Sequence, residues 1–266
     1  MKKLLLLCSV LSLSVLWPGD AIAQLKIGGK KLNTAKLLDA GKDVAKAVTL
    51  SDSDIAQLSR EAVAWMDANN PVADETTEYG ARLKRLTEGI TEVDGLPLNF
   101  KVYKVADVNA FACGDGSIRV FSALMDLMDD DELMAIIGHE IGHVVHADVK
   151  HAMKNAYLSS AARNAAGAAE GSTLAKLSDS QLGEVVTAFT GAQFSQKQES
   201  EADDYGVEFC VKNGIDPYAM ANSLAKLSEL SKDAPQASYL QKMFSSHPDT
   251  MKRIERAKAK AATYAK

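Results

Sequence analysis

The strongest chemical pattern in the chain is H-E-x-x-H, which residues 139–143 spell inside an apolar segment with helical spacing. On a helix, side chains four positions apart lie on one face, so His139 and His143 can bind one metal ion together. Glu140 then projects beside the ion, where it can act on a water molecule. This pattern is typical of zinc-dependent peptidases. Four of the five histidines of the chain lie between positions 139 and 151, which favours a metal site over a chance match.

A third zinc ligand has to come from elsewhere, because catalytic zinc usually has three protein ligands and one position for water. His146 follows on nearly the same helical face, but three ligands on one straight helix cannot easily surround an ion. His151 is expected at the surface. Glu199 and Asp203 are better candidates, since one carboxylate can bind zinc while the other accepts a hydrogen bond from His139. Spacing alone equally allows two carboxylates that face water.

The elements that must position these residues are mainly helical. Apolar residues recur at helical spacing along most of the chain, and serines or aspartates precede several of these segments as potential N-caps. Helices are expected over residues 51–69, about 77–89, from about 130 to 145, 194–212, 217–230 and 249 to about 264. Segment 161–171 is rich in alanine and glycine and is compatible with a helix or a loop, of which a surface connection is favoured.

A small β-sheet accompanies the helices. Leu98, Phe100 and Val102 alternate with polar residues and predict one strand, and Ser117–Phe121 predicts a second. Residues 109–116 between them are expected to form a turn-bearing connection. The fold class is therefore predicted as mainly α with a small β-sheet, an α+β fold in one domain.

The N-terminus predicts export. Two lysines, an apolar run over residues 4–17 and the sequence A-I-A at residues 21–23 are typical of a signal peptide that is cut after Ala23. The apolar run is shorter than the roughly 20 residues that a membrane-spanning helix needs, so cleavage is favoured over an anchor. Cys8 follows three leucines rather than small residues, which argues against a lipid anchor. We expect a signal peptide (1–23), an N-terminal extension (24–50) and a zinc metallopeptidase domain (51–266) in the periplasm.

The composition of the chain limits the classes of partner that it is expected to bind. The 266 residues carry a formal net charge of −5 and no basic stripe, which argues against nucleic acid as a partner. Export would place Cys113 and Cys210 in an oxidising compartment. A disulfide between them and two separate buried thiols are equally compatible with the sequence.

A series of motifs in fixed order resembles the HtpX-like metallopeptidases, and among them the periplasmic LoiP and BepA branch. The motifs are N-A-F-A at 109–112 followed by G-x-I-x-V at 116–120, H-E-x-x-H at 139–143, E-x-E-A-D at 199–203 and S-H-P at 246–248. The likeness covers roughly residue 52 to the C-terminus. It implies a gluzincin-type fold and one zinc ion per chain, with Glu199 as the third ligand beside His139 and His143.

The resemblance also implies a way to hold substrate. An extended peptide would add itself to the edge strand of the small sheet, which falls on Ser117, Ile118, Arg119, Val120 and Phe121. Two features depart from the family. Members of the LoiP type are commonly lipid-anchored, whereas this signal predicts cleavage. Family members often carry histidine nine positions after the first motif histidine, but Asp148 stands there, and its role is open.

The sequence allows several roles for His247. By residue type alone it would be a surface or helix-capping histidine, but the S-H-P motif implies a place near the zinc. There it could stabilise the oxyanion during turnover, or occupy the open position and keep the enzyme silent. Sequence does not separate these roles.

The expected reaction is peptide-bond hydrolysis with Glu140 as general base. The resemblance implies unfolded or misassembled envelope proteins as substrates and outer-membrane assembly machinery as a partner. The alternative is a chaperone or assembly factor for outer-membrane proteins in which His247 caps a mostly latent zinc site. A purely structural zinc protein would explain the histidines but leave Glu140 without a purpose.

Overall fold

The structure, a computed structural model, describes residues 26–27, 30–31, 50–164, 177–232, 243, 246–248 and 250–264. The predicted signal peptide and nearly all of the predicted extension 24–50 lie outside these residues and stay predictions. Two short strands, β1 (Lys26–Ile27) and β2 (Lys30–Lys31), pair antiparallel within the extension. Among the described helices, none combines the length and apolar character that crossing a membrane requires.

Most of the described chain is helical, which confirms the predicted fold class. Four helices begin at a capping box, in which the N-cap side chain and the third helical residue satisfy each other's backbone N–H groups. The helices are α1 (Asp52–Asn69), α2 (Glu78–Leu86), α3 (Ser122–Leu127), α4 (Asp130–Val145), α5 (Asp148–Asn164), α6 (Asp179–Thr190), α7 (Gln196–Lys212), α8 (Ala219–Lys232) and α9 (Thr250–Ala262).

Three of the described helices, α3, α5 and α6, have no counterpart among the predicted ones. α5 runs to Asn164, so segment 161–171 starts as helix rather than as the favoured surface connection, and its residues 165–171 lie outside the described part. α6 was not predicted, although Ser178 and Gln181 form a capping box at its start. Its core residues Val185, Val186 and Phe189 follow the helical period only over a short stretch. The remaining predicted helices form within a few residues of the expected bounds.

The small sheets correct one prediction about the site. β3 (Glu92–Val93) and β4 (Leu96–Pro97) form a hairpin, and the main sheet has the order β5 (Asn99–Tyr103), β7 (Ser117–Phe121), β6 (Ala110–Ala112). β7 is thus the central strand, parallel to β5 and antiparallel to β6. The prediction that Ser117, Ile118, Arg119, Val120 and Phe121 form the substrate-binding edge is wrong, because both sides of β7 are already hydrogen-bonded. β6, which lies where a turn-bearing connection was expected, is an edge strand instead.

Arg119, in the middle of β7, connects the sheet to α1. Its side chain is buried and donates two hydrogen bonds to the carboxylate of Asp67 on α1. Lys101 and Tyr103 on β5 donate to the same carboxylate. Burial raises the pKa of Asp67, but the hydrogen bonds from Arg119, Lys101 and Tyr103 outweigh it and lower the pKa. This network ties the middle of the sheet to α1.

The core sits between the sheet and α4. Nearly every residue of α4 from Glu132 to Val144 is buried, because the sheet covers one side of the helix and α7 covers another. Two further clusters lie between α1, α5 and α6 and between α7, α8 and α9. Cys113 belongs to the first of these and Cys210 to the second, and both are free buried thiols.

Two glycines set the distance between α4 and α7. A Cβ atom on Gly142 of α4 would lie 3.0 Å from Ala202 Cα, and one on Gly206 of α7 would lie 3.2 Å from the carbonyl oxygen of Ala135. Each helix therefore contacts the backbone of the other directly. This close approach brings the acidic residues of α7 within reach of the histidines of α4.

The Asp67 network gives a test of stability. Replacing Asp67 with alanine leaves the buried Arg119 charge without its main partner, so we expect the free energy of unfolding to fall by about 3 kcal/mol. Urea unfolding followed by circular dichroism measures it. Glu75→Gln is the matched control, since it breaks the exposed pair with Lys84 and should leave the free energy of unfolding nearly unchanged. Equal stability of the two variants would contradict the assigned role of Asp67.

Candidate metal centre

Four buried side chains converge on one point between α4, α7 and the segment before α9. His139 and His143 come from α4, Glu199 from α7 and His247 from residues 246–248. One nitrogen or oxygen atom from each lies within 4.8 Å of the others. We call these four residues the donor cluster. The structure thus brings together the three residues that the sequence proposed as metal ligands and His247, for which the sequence left two roles near the metal open.

Two carboxylates fix how the motif histidines present their rings. His139 Nδ1 lies 2.9 Å from Asp203 Oδ1, and His143 Nδ1 lies 2.9 Å from Asp148 Oδ2. An ionised carboxylate can only accept hydrogen bonds, so each Nδ1 carries the proton and donates it. Each ring then turns its Nε2 toward the centre of the donor cluster, so that loss of the Nε2 proton would give the tautomer that binds metals.

The donor cluster fits a metal cation. The Nε2 atoms of His139 and His143 are only 3.1 Å apart, and Glu199 Oε1 lies 3.4 Å from the latter. Lone pairs this close repel each other unless a positive charge sits among them. Glu199 Oε2 is buried without a hydrogen bond from any described residue, although Arg253 Nη1 lies 2.5 Å from it as an ion pair. Two imidazoles and one carboxylate are also a known ligand set of catalytic zinc.

The pKa values of His143 and Glu199 also indicate that the donor cluster favours positive charge. Burial lowers the pKa of His143, but hydrogen bonds to Asp148 and Glu199 outweigh it and raise the pKa to about 9. Burial likewise raises the pKa of Glu199, yet the surrounding imidazoles, His247 first, hold it well below its usual range. Burial is the largest influence on His139 and lowers its pKa. The carboxylate of Glu199 is therefore ionised.

Arg253 completes the site and was not predicted. Its side chain on α9 is buried and donates two hydrogen bonds of 2.7 Å to Asp203. It also donates to the backbone oxygen of His247 at 3.3 Å. Burial raises the pKa of Asp203, but hydrogen bonds from Arg253 and His139 lower it to about 2. The sequence offered one signal, since Arg253 shares the apolar face of a basic helix with Ala257, four positions on.

Asp148, whose role the sequence left open, reaches His143 through a sharp turn. α4 ends at Val145 with His146 as its C-cap, Ala147 adopts a left-handed conformation with φ of 60°, and α5 begins at Asp148. This conformation is unusual for a residue with a Cβ atom. It reverses the chain within two residues, so a carboxylate only five positions after His143 lies against its ring.

Glu140 lies between the donor cluster and the sheet. Its Oε2 accepts a hydrogen bond of 3.1 Å from the backbone N–H of Ala112 on the edge strand β6. Its Oε1 lies 3.9 Å from His247 Nε2. The carboxylate is therefore positioned next to both the metal donors and the edge strand of the sheet.

His247 contacts the donor cluster through Nδ1, which lies 2.9 Å from Glu199 Oε1 and 3.4 Å from His139 Nε2. Phe194 stacks on the ring of His143, with centroids 4.0 Å apart, and lies beside His247 as well. The backbone N–H of Phe194 donates to the oxygen of Ser246, which fixes the segment that carries His247.

The other two described histidines lie away from the metal centre. His146 forms the C-cap of α4, is exposed and packs edge-on against Tyr205. His151 is exposed on α5. Both positions agree with the sequence interpretation, which favoured neither as a ligand.

Comparisons with known proteins agree with this geometry. Residues 79–261 match the model of peptidase family M48. Metalloprotease LoiP of Escherichia coli (strain K12) is 39% identical over 236 residues, which are 88% of this chain and 91% of LoiP. Metalloprotease YcaL of the same strain is 36% identical over 233 residues, 87% of this chain and 89% of YcaL. The beta-barrel assembly-enhancing protease of Yersinia pestis is 32% identical over 176 residues, 62% of this chain but 35% of that protein.

These matches confirm the family resemblance that the ordered motifs predicted. The family model covers most of the chain, and two metalloproteases align with it over most of their own length. This chain therefore belongs to peptidase family M48 and is a metalloprotease.

Proposed function

We propose that this metalloprotease is a zinc-dependent endopeptidase of the periplasm that hydrolyses unfolded or misassembled envelope proteins. The single observation that supports zinc most strongly is the donor cluster, in which two Nε2 lone pairs and a carboxylate meet in a buried space. His139, His143 and Glu199 would hold the ion.

The catalytic role falls to Glu140. Zinc supplies Lewis acidity, which polarises a carbonyl group and lowers the pKa of water toward about 7. Glu140 is the carboxylate beside the donor cluster that is not tied to a histidine Nδ1 or to Arg253. Its Oε atoms can take the proton of the attacking water and deliver it to the leaving amine nitrogen. The hydrogen bond from the backbone N–H of Ala112 holds the Glu140 carboxylate beside the edge strand β6.

The edge of β6 is our proposed position for the substrate backbone. β6 pairs with β7 on one side, and the antiparallel ladder alternates so that Ala110 and Ala112 turn their backbone groups away from β7. An extended peptide that adds to this edge would pass Glu140. Strand addition also requires an unfolded substrate segment, which supports unfolded proteins as the substrate class.

The compartment and substrates rest on the sequence and on the relatives. The predicted signal peptide supports export, and one relative is named for enhancing β-barrel assembly. Partnership with outer-membrane assembly machinery remains part of the proposal and follows from that name.

A second candidate function has its own observation. His247 Nδ1 belongs to the donor cluster, so it would take the position that a water molecule needs. In this conformation the protein would act as a chaperone or assembly factor for outer-membrane proteins with a latent protease site. Movement of residues 246–248 would convert one activity into the other.

Glu140→Gln tests the proposed reaction. The zinc-loaded protein should hydrolyse a labelled, denatured protein, and the variant should lose about 10²-fold or more of that rate because the proton acceptor is gone. Zinc content, measured by atomic absorption, should stay at one per chain. Glu201→Gln is the matched control in the second motif, since the one ion pair of Glu201 with a described residue is to the exposed Lys197. Equal rates for wild type and Glu140→Gln would refute the assignment.

His247→Ala separates the two roles of that histidine. We expect hydrolysis of the denatured protein to rise several-fold, because the fourth position is freed, while zinc affinity falls through loss of a donor. His151→Ala removes an exposed histidine and should change neither quantity. A loss of activity in His247→Ala at full zinc occupancy would instead show that His247 assists turnover.

A further inference from the structure

Gln198 joins a helix cap to the metal centre. It is the third residue of α7, and its Oε1 accepts hydrogen bonds from the backbone N–H and the hydroxyl of Ser195. Its Nε2 points the other way and donates to Asp148 Oδ1 at 2.6 Å. The cap thereby fixes which end of the amide faces Asp148, since an exchanged amide would place two acceptors together.

The capping box at the start of α6 can be compared with the one at the start of α7. Ser178 and Gln181 start α6 with the same contacts, and both distances to Gln181 Oε1 are 2.9 Å. Gln181 and Gln198 are both half-buried. α6 supplies none of the donor cluster, so only the box on α7 connects to a residue that holds a metal-site histidine.

The connection continues through Asp148 to His143. Asp148 is buried, and its two oxygens are divided between Gln198 Nε2 and His143 Nδ1. A cleft of about 320 Å³ opens beside Asp148 and Gln198. Water in this cleft can compete for the carboxylate, so an amide held by its own cap is a more rigid partner than solvent.

We infer that Gln198 is a positioning residue of the metal centre, which holds Asp148 against His143 so that Nε2 of His143 faces the ion. The inference rests on the proposed metal binding. It gives each motif histidine the same support, a carboxylate that a second side chain anchors: Arg253 for Asp203, and Gln198 for Asp148. Gln198 acts only through these neighbours, and it would affect metal affinity rather than the fold.

The experiment compares Gln198→Met with Gln181→Met. Methionine keeps the length of the side chain and favours helix, so each variant loses one capping interaction of the same kind. Zinc affinity is measured by competition with a chelating dye, and stability by thermal melting of the metal-free protein. We expect Gln198→Met to weaken zinc binding about 10-fold and Gln181→Met to leave it unchanged. Both variants should lower the melting temperature, Gln198→Met by more, because it also loses the hydrogen bond to the buried Asp148.

A double-mutant cycle with Asp148→Ala tests the route. If Gln198 acts through Asp148, Gln198→Met adds no further loss of zinc affinity once Asp148 is removed. Independent, additive losses would overturn the inference, and so would wild-type affinity in Gln198→Met. A wild-type protein that binds no zinc would overturn the metal centre itself. These two failures are therefore distinguishable.

Discussion

Buried negative charge is the constraint on which this structure depends. Glu140, Asp148, Glu199 and Asp203 all lie buried around the two motif histidines, and Arg253 supplies one positive charge against them. A buried carboxylate costs several kcal/mol unless it is paired and hydrogen-bonded. The imidazoles and Arg253 supply this pairing in the structure, and a metal cation would add further positive charge at the same place. Metal binding and the packing of α4 against α7 therefore both depend on how this buried charge is balanced.

The close approach of two helix backbones brings these charged groups together. Gly142 and Gly206 let α4 and α7 approach so closely that a Cβ atom at either position would crowd the backbone of the other helix. Larger residues at these positions would push Glu199 and Asp203 away from the histidines. The sheet completes the arrangement on the far side of α4, where the N–H of Ala112 holds Glu140. The edge of the sheet and the metal donors are consequently fixed relative to one helix.

The sequence predicted what local spacing determines. The helical period placed His139 and His143 on one face and put Glu199 and Asp203 together on another helix, and the structure has both arrangements. The place of Arg253 on the apolar face beside Ala257 was the one signal for this residue, but it was not enough, because basic side chains on a helix are usually exposed to solvent until their partners are known.

The order of the strands could not be predicted from the sequence either, because it also depends on tertiary contacts. Residues 109–121 contain two short segments, and which one becomes the edge depends on pairing with β5 and on the Arg119 contact with Asp67. The contact of Asp148 depends on the left-handed Ala147, a conformation that a residue with a Cβ atom gives no reason to expect. Both features arise from tertiary contacts rather than from periodicity.

The positions of the site residues along the chain also determine which backbone cleavages would divide the metal centre. His139, His143 and Asp148 are close neighbours in sequence, whereas Glu199, His247 and Arg253 come later. A cleavage between positions 148 and 199 would leave the two motif histidines on one fragment and the residues that complete the donor cluster on the other. The centre would then be held together only by the packing of its helices, of which the close approach of α4 and α7 is the main part.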